Sequence, residues 1–150
     1  MNSELEILYE DNHLIAVNKR VSDIVQGDKT GDKPLTEHVK DYIKHKYNKP
    51  GEVYLGLPHR LDRPTSGIVI FARTSKALVR LNKMFQEKDL KKIYWAIVSK
   101  APVALEGSLE HYLSKMRNRI NHTFLKRKNL SRREQFCYIK LLLSPIIILY

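Results

Sequence analysis

Cysteine is nearly missing: Cys137 is the single one in 150 residues. That excludes an internal disulfide framework and a cysteine-rich zinc site. The six histidines, at positions 13, 38, 45, 59, 111 and 122, are scattered and show no paired ligand spacing. No apolar run reaches the roughly twenty residues that a membrane helix needs. The run over 141–149 is short, is broken by Pro145 and follows Lys140. Left unpaired, it is an aggregation hazard. The start, Met1-Asn2-Ser3-Glu4, is polar and acidic, unlike a secretory leader. The expectation is a cytoplasmic chain with no membrane partner, forming one domain or part of a larger one.

Acid is the next scarcity, and it is local. The net charge is +11. Residues 1–113 hold 18 Lys and Arg against 15 Asp and Glu, whereas residues 114–150 hold 9 against Glu134 alone. A basic tail suits an RNA-binding arm, but a charge run is more commonly a solvated face. The tail also lacks Ala, Asp, Gly and Val altogether. With Glu, these are the residues whose codons begin with G. They make up 36 of the first 113 positions and 1 of the last 37. So sharp a break resembles a shifted reading frame near codons 115–117. The expected organisation is therefore the N-terminal part of a domain over 1–113 and an anomalous basic and apolar tail over 114–150.

What is present is a clear alternation of elements. Residues 5–9 and 13–18 read as strands around the polar turn Glu10-Asp11-Asn12. Residues 20–34 read as a loop. Leu35, Val39, Tyr42 and Ile43 predict a helix over 35–47, ended by Pro50-Gly51. Strands are predicted over 53–57 and 68–72. Leu78, Leu81, Met84 and Phe85 line one face of a helix over 75–87, capped by Thr74 or Ser75. A further strand is predicted over 92–98, placing Tyr94 and Trp95 on opposite sides.

Between the strands at 53–57 and 68–72 runs His59-Arg60-Leu61-Asp62-Arg63-Pro64-Thr65-Ser66-Gly67. A carboxylate lies between two arginines, and Pro64 and Gly67 stiffen and turn the backbone. Arg60 and Arg63 are placed to hold Asp62 ionised, and the same cations suit phosphate. Spacing alone is equally compatible with an Arg-Asp-Arg ion-pair cluster that closes a turn.

This segment resembles the signature of the RNA pseudouridine synthases, in the branch that modifies ribosomal and transfer RNA. Three co-linear stretches strengthen the resemblance over roughly residues 5–113: Leu8 to Lys19, Val25-Gln26-Gly27-Asp28, and Lys91 to Val98. Arg20 departs from the pattern, standing where many members have proline. The resemblance implies an α+β fold, with a mixed, largely antiparallel sheet and flanking helices, and no preceding S4 domain. It implies isomerisation of uridine in ribosomal or transfer RNA, with no metal and no nucleotide cofactor. Asp62 would be the catalytic carboxylate and Tyr94 the active-site tyrosine. Arg60 would contact RNA where the base leaves its stack, and His59 and Arg63 would orient the loop or touch phosphate. Family members also have a later His-Gln-Ile-Arg stretch that is missing from 114–150, so the chain reads as C-terminally truncated. The competing expectations are an inactive remnant, or an RNA-binding module without chemistry.

Overall fold

The computed structural model describes residues 5–96, 107–114, 123–125, 135–141 and 148–149, with side chains up to residue 96. Two compact units divide at Asp89 and Leu90. The first is a three-stranded antiparallel sheet in the order β1-β2-β3, with strands at Ile7–Glu10, Leu14–Lys19 and Gly67–Ala72. Two helices accompany it, α1 over Leu35–Lys46 and α2 over Ser75–Gln86.

The sheet separates two apolar layers by strict alternation, because successive strand side chains point to opposite faces. The odd positions Ile15, Val17, Val69 and Phe71 join Leu35, Val39 and Ile43 of α1 in the larger core. The even positions Leu14, Ile70 and Ala72 meet Ala77, Leu78 and Leu81 of α2 in the smaller one. Thr74 caps α2 by accepting from the Ala77 N–H. At Gly56 the chain comes so close to α2 that an added Cβ would lie 2.9 Å from the Leu78 side chain.

Two expected strands are not formed as predicted. Over 53–57 there is only a bridge between Gly56 and Ala72. Past it, the Ile70 N–H is taken by the His59 imidazole instead of by backbone. Residues 92–96 have no strand pairing, and Ile97 and Val98 lie outside the described residues. Tyr94 is half-buried there and Trp95 is 78% exposed.

The second unit contains an antiparallel sheet in the order β5-β4-β6-β7, with strands at Gly107–Ser114 (β4), Thr123–Leu125 (β5), Gln135–Leu141 (β6) and Ile148–Leu149 (β7). Its central pairing sets Glu110 opposite Tyr138. The compositional break at 113–114 thus falls at the end of β4.

Candidate active site

The signature loop leaves the edge of β3 and returns to it. His59 fixes its start in two ways. Its Nε2 accepts from the Ile70 N–H at 3.0 Å, and its ring stacks on Phe85 of α2 with centroids 4.9 Å apart. Gly67 fixes its end with φ of +137°, a conformation that favours glycine. Between them the Thr65 N–H donates to the Asp62 carbonyl at 3.0 Å, closing a turn.

The clamp on this loop is Lys19. Its row on β2 is Ile15, Val17, Lys19, so parity aims it inward, and it is fully buried. Its Nζ donates to the carbonyls of Thr65 at 2.6 Å, Arg20 at 3.0 Å and Arg63 at 3.3 Å. Three donors meet three carbonyls, which satisfies an ammonium that would otherwise be costly to bury. Burial pushes the Lys19 ammonium below the usual lysine range, while the negative charges of Asp23 and Asp62 push the other way. Ser22, at φ +76°, adds a second donor to the Arg63 carbonyl at 2.9 Å.

Sequence reading placed Lys19 in a matching motif but missed this role. The parity of the strand was the signal that could have found it. Arg20 also has a local reason to stand where proline is common. Its N–H donates to the Asp23 carboxylate at 3.3 Å, which proline cannot do.

The Arg-Asp-Arg ion-pair cluster is not formed. Arg63 turns away from Asp62 and pairs with Asp32 at 2.5 Å, with Thr30 Oγ1 at 3.4 Å. Thr30 in turn bonds Asp28, which holds the Asp28 carboxyl below its usual range. Arg60 is exposed and has no hydrogen bond or ion pair among the described residues. Asp62 is exposed, and its charge acts through space on the buried Lys19.

The structure therefore brings His59, Arg60, Asp62 and Arg63 together on one braced loop. Tyr94 belongs to the second unit. A small cleft beside Asn18, Arg20, Asp23, Lys33 and His38 includes none of these five residues. The arrangement offers an accessible carboxylate on a braced backbone, with a guanidinium two residues away that has no ion pair among the described residues.

Comparison with known proteins adds the following. The family model described as RNA pseudouridylate synthase matches residues 13–144. The chain is 37% identical over 110 residues to tRNA pseudouridine synthase C of Vibrio parahaemolyticus, covering 73% of this chain and 42% of that one. It is 35% identical over 115 residues to ribosomal large subunit pseudouridine synthase C of Rickettsia prowazekii, covering 77% and 36%. It thus spans less than half the length of these relatives. In fold it resembles human RNA pseudouridylate synthase domain containing 4, with a TM-score of 0.73 at 22% identity, covering 96% of this chain and 56% of that one.

Proposed function

The chain belongs to the RNA pseudouridylate synthase family, and on that premise we propose that it converts uridine to pseudouridine within folded ribosomal or transfer RNA. The observation that supports this reading most is Asp62, an exposed carboxylate on a loop whose backbone is clamped from behind by Lys19 and Ser22. The reaction breaks the bond between C1′ and N1, turns the base, and joins C1′ to C5. C5 gives up a proton and N1 gains one, so nothing is oxidised or hydrolysed. Asp62 either attacks C1′ or takes the 2′ proton.

Arg60 fills the gap left when the uridine leaves its stack, since its guanidinium stacks and donates. It has no hydrogen bond or ion pair among the described residues, which suits that task. His59 and Arg63 orient the loop, as their engagement with Ile70 and Asp32 supports. Tyr94, assigned through its place in the family pattern, packs on the turned uracil and assists loss of the C5 proton.

Asp62→Asn tests the proposal. The amide is nearly isosteric but is neither nucleophile nor base. Tritium release from RNA containing 5-tritiated uridine falls by at least about a thousandfold, while RNA affinity stays nearly unchanged. Turnover close to that of the unmodified protein removes Asp62 from the mechanism. A second reading, a catalytically silent remnant, is favoured by the compositional break after residue 113. It predicts no tritium release from the unmodified chain.

A further inference from the structure

The two helices of the first unit are equal in length but differ in charge: α1 carries three lysines against Glu37 and Asp41, and α2 carries three cations and no carboxylate. Around α1, three cations are paired, Lys33 with Asp41, Lys40 with Glu37 and Lys46 with Glu10, while the exposed Lys44 has no ion pair among the described residues. On α2 the exposed positions include Lys76, Val79, Arg80 and Lys83. Lys76 and Arg80 have no carboxylate partner among the described residues, and Lys83 has only Glu87 at 3.8 Å, with both side chains largely exposed. The same contrast runs through the sequence of this unit. Residues 5–59 hold 8 Lys and Arg against 9 Asp and Glu, whereas residues 60–89 hold 7 against 3. The net positive charge of this unit therefore lies in residues 60–89.

The exposed face of α2 is thus one-sided in charge, and Val79 between its cations is 67% exposed. Spacings of four and three residues put the three cations on one stripe about 10 Å long. The opposite face of the helix packs against the start of the signature loop, where Phe85 in its last turn stacks on His59. We propose that the outward face of α2 docks the phosphate backbone of the RNA that presents the target uridine, with Val79 against the sugars between phosphates. This rests on the RNA-modifying reading above but does not require the chemistry to proceed.

The test replaces Lys76, Arg80 and Lys83 together by Gln in the full chain carrying Asp62→Asn. Its control replaces Lys29, Lys40 and Lys44 by Gln, which removes the same charge elsewhere. Affinity for a short synthetic hairpin RNA is measured across a salt series, after a thermal melt shows that each variant is folded. The α2 variant should lose about two units from the slope of log K against log salt, at 0.7–0.9 per phosphate contact. The control should lose well under one. Equal losses in both variants, an unchanged slope, no RNA binding at all, or preference for anionic lipid vesicles over RNA would each overturn the docking surface. Tritium release from the chain with Asp62 intact is followed in parallel. Its absence beside an α2-dependent slope overturns the isomerase reading alone.

Discussion

At the scale of single residues, the loop is governed by a side chain outside it. Lys19→Met keeps the apolar stem and removes all three donors, leaving the carbonyls of Arg20 and Thr65 without this partner and that of Arg63 with Ser22 alone. A buried unsatisfied acceptor costs about 1–3 kcal/mol, so the denaturation midpoint should fall. A displacement of 1 Å at a reacting group costs on the order of a hundredfold. Turnover should therefore drop far more than RNA affinity, and unchanged turnover in a folded variant would deny Lys19 its positioning role. Arg60→Ala makes a different prediction. It should slow turnover on a folded hairpin roughly tenfold more than on an unstructured strand, because only the folded substrate demands extrusion of the base. Equal losses would mean that Arg60 serves Asp62 and not the gap.

At the scale of elements, the joint between the first hairpin and α1 is a polar hub. Glu10 Oε2 accepts from Lys46 at 2.7 Å and from the Tyr42 hydroxyl at 3.0 Å. Its Oε1 accepts from the Tyr47 hydroxyl at 2.7 Å and from Arg73 at 3.0 Å. Burial alone would push the Glu10 carboxyl up, but the hydrogen bonds from Lys46, Tyr47 and Tyr42 outweigh it and hold it below the ordinary 4.5. The resulting stability is complete above pH 4.5 and is lost as pH falls through the lower folded value. Glu10→Gln should cost roughly 3 kcal/mol at neutral pH, since Arg73 and Lys46 lose their counter-charge. It should also flatten the acid end of a plot of melting temperature against pH. An acid limb as steep as in the unmodified protein would place the sensitivity elsewhere.

Elements were legible where periodicity and local chemistry agreed. The stripe of Leu78, Leu81, Met84 and Phe85 with its Thr74 cap became α2 almost to the residue. The apolar run ending at Ala72 became β3, one residue longer than expected at its start. The segment over 53–57 had a strand-like composition, but only Gly56 reaches Ala72 before the His59 ring takes over the edge of β3. A side chain replacing a backbone rung leaves no trace in hydrophobic pattern. The partners of Arg63 were equally hidden, because Asp32 lies 31 residues away in what read as an unremarkable loop.

At the scale of the whole molecule, the break in composition has a direct genetic test. The family match runs to residue 144, and β6 pairs with β4 across the boundary. The frameshift reading thus stands on amino-acid composition alone. Sequencing the DNA around codons 115–117 should reveal a second open frame, rich in Ala, Asp, Glu, Gly and Val, that resumes the family pattern. A clean read with no such frame would end the idea.

The Lys19 clamp also bears on the order in which the molecule acquires shape. Its rungs to Arg63 and Thr65 bridge 44 and 46 residues. The chain must first zip β2 against β3 before the amine can reach those carbonyls, and contacts so distant are entropically late. The nine residues that announce the family most loudly therefore have, beyond the Asp62–Thr65 turn, a geometry held from outside. Grafted onto another scaffold without a buried amine behind them, they would be a flexible string with an ordinary aspartate.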